Sequence, residues 1–110
     1  MAEREDRSRK DRDSAGAPPA DVRRVVRIKN SAGLHARPCH AIVSRALAHE
    51  SDLWVACDGR EVNGKSILEL MTLSAPFDAV ISFRARGRDA QELVSELSEL
   101  VEAGFHEVDS

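Results

Sequence analysis

Excess positive charge, aromatic residues, cysteines and long apolar runs are all missing or scarce in this chain. Sixteen Lys and Arg stand against nineteen Asp and Glu, a formal net charge of −3 over 110 residues, so no field draws the chain onto nucleic acid non-specifically. Aromatic residues make up 4% of the sequence. Apart from Trp54 and Phe83 the strand-like segments carry none, which removes the stacking platform that a nucleic-acid or ligand module on a small α+β sandwich would use. The two cysteines, Cys39 and Cys57, lie 18 positions apart with no CxxC pair or Cys/His series around them. Neither a disulfide framework nor a zinc module is indicated, and both read as reduced thiols. No apolar run approaches the roughly 20 residues of a membrane-spanning helix, and the first residues are densely charged where a signal peptide would be apolar. The expectation is a cytoplasmic monomer of one small domain, with no membrane insertion, no nucleic-acid partner, no metal and no cofactor.

What is present divides at residue 21. Residues 1–21 hold five basic and six acidic side chains, then an Ala/Gly/Pro/Pro stretch, with no aromatic or β-branched residue. Such a composition cannot bury enough apolar surface to offset the entropy of ordering, and the segment reads as a disordered charged tail. Residues 22–110 carry nearly all the apolar periodicity and form the domain.

Within it, Val22 to Lys29 alternates with Val26 and Ile28 on one side, the pattern of a half-buried strand. After the loop NSAGLH, the positions Cys39, Ile42, Val43, Ala46 and Leu47 make one helical stripe that ends near His49, with Pro38 in the first turn. Asp52 to Cys57 alternates again, Asp58-Gly59 supplies a tight hairpin turn, and Arg60 to Val62 returns as a short third strand. Ser66 is a good N-cap for about two turns of helix over ILELMTL, stopped by Pro76. Ala79 to Arg86 is a fourth strand, with Ile81, Phe83 and Ala85 on its inner face. Asp89 with Glu92 three residues on resembles a capping box for a last helix, whose apolar positions run from Ala90 to Val101 before Gly104. The order β-α-β-β-α-β-α predicts a two-layer open-faced α+β sandwich: a four-stranded antiparallel sheet with three helices on one face.

The segment that carries chemistry is Gly33-Leu34-His35-Ala36-Arg37-Pro38. It sets a histidine at the start of a helix that has few residues suited to capping it. Unpaired first-turn amides and the positive end of the helix dipole favour an anion there, by about 0.3–1 kcal/mol when exposed and up to about 2 when partly buried. Arg37, two residues on, offers a planar fork of donors suited to phosphate oxygens. An ordinary imidazole is mostly neutral at cytosolic pH and can attack phosphorus without a general base, leaving the protein to position and to compensate charge. The arrangement resembles a cradle for phosphohistidine. Taken alone, His35 would be an unremarkable loop histidine, and Arg37 a solvated helix-start residue.

GLHARP, the later GREVNGKSILELMTL and the ending AQELVSELSELVEAGF together resemble the HPr family, the histidine-containing phosphocarriers of the bacterial phosphotransferase system. The resemblance covers residues 22–110. It implies that His35 accepts a phosphoryl group on Nδ1 from enzyme I and passes it to an enzyme IIA-type acceptor, with Arg37 stabilising the phosphate. Such a protein is a carrier with a covalent phosphohistidine, not an enzyme. It also implies that Ser66 is the serine modified by an HPr kinase/phosphorylase, and that Leu68 and Met71 belong to the partner-facing patch. On periodicity alone Leu68 and Met71 are ordinary core, and Ser66 only a cap. Cys39 and His40 depart from the small residues usual after the proline, and Ser74 from the small or acidic residue common after the serine helix. The bulkier His40 is expected on the exposed side of its helix, where it would modify partner preference. Ser66 phosphorylation would add about −1.5 to −2 charge at a helix N-terminus, leaving the domain folded but repelling an acidic partner. An alternative reading is a regulatory adaptor of a nitrogen-type or permease-less branch, acting by phosphorylation-dependent binding without sugar uptake. A metal cluster of His35, Cys39 and His40 fails on ligand count. His49 and His106 have no evident partner in the sequence.

Overall fold

A computed structural model of the chain describes residues 21–107. The expected tail therefore lies outside the described residues except for Asp21, which is bonded to Arg84 and Arg86 of the sheet. Four strands, β1 (Val22–Arg27), β2 (Asp52–Cys57), β3 (Arg60–Asn63) and β4 (Val80–Arg86), alternate with three helices, α1 (Ala36–Leu47), α2 (Ile67–Met71) and α3 (Ala90–Glu102). The sheet runs in the order β1-β4-β2-β3, antiparallel throughout. The expected open-faced sandwich is the observed one.

Alternation decides which face of each strand is covered. Val26, Leu53, Val55, Cys57, Ile81, Phe83 and Ala85 point under the helices and are buried. Cys39, Ile42, Val43 and Ala46 of α1, Leu70 of α2, and Ala90, Leu93, Val94, Leu97 and Val101 of α3 close the core from above. Both cysteines are free and buried, and burial pushes the Cys39 thiol up to about 11, so neither is primed as a nucleophile. The β2–β3 hairpin turns through Asp58 and Gly59 with φ of 53° and 80°, the two positive values that a type I′ turn requires.

Two sequence expectations, on Leu47 and Asp89, are corrected. Leu47, counted in the buried stripe of α1, is 64% exposed. Eight helical steps carry it about 80° round from Cys39, to the edge of the stripe and past the covered face. Of the two readings of Leu68 and Met71, core or surface patch, the exposure of 79% and 41% excludes the core, and Leu70 alone of α2 is buried. Asp89 precedes α3 but its side chain makes no capping bond. Its carboxylate instead accepts from the Glu50 and Ser51 amides, each at 2.9 Å, and from the Ser51 hydroxyl, tying the start of α3 to the α1–β2 connection.

Those donors, the Ser51 hydroxyl foremost, hold the Asp89 carboxyl down from 3.8 to about 2. A carboxylate depressed in the folded state contributes stability that is complete above its unfolded pKa and lost as pH falls through the folded one. Urea midpoints should therefore fall between about pH 4 and pH 2, and Asp89→Ala should flatten that part of the profile while lowering stability at neutral pH. Asp21 contributes with the same sign, since Arg86 and then Arg84 hold it at about 2.

The uncovered sheet face carries Trp54, with the Arg84 guanidinium 3.9 Å from its ring centroid. Arg84 is itself bound to both Glu61 oxygens at 2.8 and 2.9 Å. Phe83 is wholly buried.

Candidate functional site

The loop ahead of α1 is built around Gly33. Its φ of +71° lies in the left-handed region, and a Cβ there would overlap the Ala75 carbonyl oxygen and come within 2.9 Å of Pro76 Cα. Only glycine combines that backbone with that close approach. The Gly33 carbonyl accepts from the His35 amide at 3.0 Å and from Asn30 Nδ2 at 2.8 Å. The Leu34 amide donates to Ala75 O at 2.9 Å, fastening the loop to the segment after α2.

His35 is the N-cap residue of α1, extended in backbone, with no side-chain capping bond. The Ala36 and Arg37 amides donate to none of the described residues, and Pro38 has no N–H to donate. The helix thus begins with donors directed out of the protein beside the imidazole, the condition that favours an anion. The imidazole is 38% exposed, and its Nε2 lies 3.0 Å from Glu107 Oε2. The other oxygen of Glu107 accepts from Asn30 Nδ2 at 3.2 Å.

A carboxylate oxygen can only accept, so Nε2 carries the proton and Nδ1 of the neutral ring is left with its lone pair. The ring is oriented through Glu107 and Asn30, and Nδ1 is the nitrogen away from that anchor. No local signal in the sequence pointed to Glu107, which is 72 residues from His35.

Arg37 occupies the second position of α1, exposed, and its guanidinium is bound to none of the described residues, so it is available to an incoming anion. It makes no contact with His35 here. His40 is exposed on α1, beside a shallow depression lined by Ala41, Ser44 and Leu100. Ser66 is the N-cap of α2, its hydroxyl accepting from the Glu69 amide at 3.2 Å. The Glu69 side chain returns not to Ser66 but to the Asn63 amide, at 2.9 Å. α1 and α2 pack on each other, and Leu47, Leu68 and Met71 remain exposed on these two helices. No helix among the described residues is long and apolar enough to cross a membrane.

A four-stranded antiparallel sheet under three helices, with a solvent-accessible histidine opening the first of them, defines a small histidine-containing phosphocarrier. A family model for the phosphorylation site of the HPr component of the phosphotransferase system matches residues 22–103. The phosphocarrier protein HPr of Borreliella burgdorferi is 35% identical over 82 residues, covering 74% of this chain and 95% of that protein. The HPr-like protein Crh of Bacillus subtilis is 35% identical over 81 residues, with 74% and 95% covered. The crystal structure of HPr-C-His from Thermoanaerobacter tengcongensis superposes with a TM-score of 0.76 at 37% identity, covering 79% of this chain and 98% of that one. The chain belongs to the HPr family, the phosphocarriers of the phosphotransferase system.

Proposed function

We propose that the chain relays a phosphoryl group on His35 Nδ1, received from enzyme I and passed to an enzyme IIA-type acceptor. The Nδ1 lone pair attacks phosphorus as the bond to the donor's histidine nitrogen breaks; the Nε2 proton stays in its bond to Glu107. Onward transfer reverses the sequence, with the acceptor's nucleophile displacing Nδ1. The Ala36 and Arg37 amides and the Arg37 guanidinium compensate the charge on the phosphoryl oxygens, which is where catalysis of such transfers resides. The observation that carries the reading is the Nε2 contact with Glu107, which leaves the ring's nucleophilic nitrogen on the other side. Incubation with enzyme I and labelled phosphoenolpyruvate tests it: the label should be acid-labile, as phosphohistidine is, and should move to an enzyme IIA acceptor.

Regulation follows from Ser66. Ser66 is half-buried and caps α2, two residues before the exposed Leu68. An HPr kinase/phosphorylase adding phosphate there would place two negative charges beside Leu68 and Met71, on the surface we assign to partner docking, with His40 at its other side. An acidic partner would be repelled and the apolar contact poorly desolvated. Ser66→Asp is expected to lower the rate of phosphoryl acceptance from enzyme I by about tenfold, a repulsion of roughly 1.4 kcal/mol, while leaving the far-UV spectrum unchanged. An unaltered rate would remove Ser66 from the regulatory reading.

The similarity to Crh, whose solution structure is described as that of the catabolite repression HPr, supports a second reading as a regulatory adaptor. That reading expects labelling from enzyme I without onward transfer to any enzyme IIA.

A further inference from the structure

The α1–β2 connection places His49 against α3 in an arrangement that the phosphoryl site does not use. His49 follows the C-terminus of α1, and its side chain is only 9% exposed. Its Nδ1 lies 2.9 Å from the Arg45 carbonyl oxygen. A carbonyl can only accept, so Nδ1 carries a hydrogen and the tautomer is fixed. In the neutral ring Nε2 then holds a bare lone pair, and it faces Glu96 Oε2 at 3.5 Å.

Two acceptors confront each other there. Glu92, one turn before Glu96 on α3, brings a second carboxylate, and one donor atom from each of the three residues lies within 4.8 Å of the others. Glu96 Oε1 is buried without a hydrogen-bond partner; Arg45 Nη1 approaches it only to 3.5 Å. Besides Arg45, the nearby charged groups are Asp89 and Lys65, whose Nζ lies 3.3 Å from the His49 carbonyl oxygen.

The spacing chooses between the two cations that could sit between Nε2 and Oε2. A charged N–H···O⁻ hydrogen bond closes to about 2.7–2.9 Å, shorter than the gap observed. Zinc bonds of about 2.0–2.1 Å to nitrogen and oxygen, at a tetrahedral angle, separate two ligand atoms by about 3.4 Å. An imidazole whose other nitrogen is anchored on a backbone carbonyl is also the usual form of a metal-bound histidine.

We propose that His49, Glu92 and Glu96 bind a divalent transition metal of the zinc class, with water completing the coordination. Imidazole with carboxylate suits zinc better than calcium or magnesium. The site lies at the far end of α1 from His35, about 18 Å along a 12-residue helix, so the metal clasps α1 to α3 and leaves phosphoryl acceptance unchanged.

The test is calorimetric titration of the metal-free full chain with zinc chloride, beside the variants His49→Gln, Glu96→Gln and His35→Ala. The expected result is a saturable site of one zinc per chain, at least tenfold weaker in His49→Gln and Glu96→Gln and retained in His35→Ala. Thermal melts without metal establish that each variant folds, and zinc should raise the melting temperature of the parent more than that of His49→Gln. In the unmutated chain, zinc should shift the Nε2 resonance of His49 selectively in imidazole nitrogen spectra. Binding that survives His49→Gln, binding lost only with His35→Ala, a His49 resonance that does not move, or no binding at millimolar zinc would each overturn the proposal.

Discussion

His35→Ala is expected to abolish labelling by enzyme I and phosphoenolpyruvate altogether, while leaving the domain folded. The side chain is more than a third exposed and belongs to no packed cluster, so its removal opens no cavity. What disappears is the nitrogen that would form the bond to phosphorus, and no other histidine stands at the N-terminus of a long helix. Label persisting in this variant, measured after alkaline quenching, would refute the acceptor.

Glu107 separates orientation from charge in the same assay. Glu107→Gln keeps an oxygen able to accept from Nε2–H and should retain most of the acceptance rate. Glu107→Ala frees the ring and should lower the rate by several-fold up to about tenfold, the range of one net hydrogen bond. Equal losses in the two variants would mean that the carboxylate acts through its charge and not by selecting the tautomer.

Gly33→Ala is expected to be strongly destabilising, since the added methyl meets both a left-handed backbone and tightly packed main-chain atoms. A left-handed conformation costs a non-glycine residue about 1–2 kcal/mol, and forcing a methyl onto tightly packed atoms adds about 1–3, for a total of about 2–5 kcal/mol in urea unfolding. Gly59→Ala supplies the contrast. Its φ is also positive, at +80°, but a Cβ there meets nothing within 4 Å, so only the backbone cost applies. The phosphoryl site should suffer as well in Gly33→Ala, because the Gly33 carbonyl is the acceptor for the His35 amide and for Asn30. Acceptance from enzyme I should fall even at temperatures where the variant remains folded; a variant as stable and as fast as the parent would show that the loop accommodates the methyl group.

Much of the architecture was legible from local pattern because most of its determinants are local. The period-2 stretches around Leu53 and Phe83 and the 3.6-period run from Ala90 to Val101 each declare which side is to be covered. Asp58-Gly59 names its turn, and Ser66 its cap. The ends of elements were less legible: the stripe of α1 overreached to Leu47, and periodicity by itself left Leu68 and Met71 open between core and surface. Periodicity reports that a residue is apolar at the right spacing, but whether a neighbour covers it depends on where α1 and α2 meet. Asp89 was misread for a related reason. A capping box and an acceptor for a distant connection look identical in sequence, and the choice depends on Ser51 arriving beside it from 38 residues away.

The residues themselves determined a small α+β domain, a histidine opening a helix and a phosphate-suited arginine two places on, because each of these is written within a few consecutive positions. Folding alone decided which nitrogen of His35 faces a carboxylate, what covers Gly33, and that His49 turns Nε2 towards two carboxylates of α3. Those outcomes depend on Glu107, Ala75 and Glu96, groups brought close only when the sheet and helices close on a common core, and no spacing along the chain encodes a distance across it.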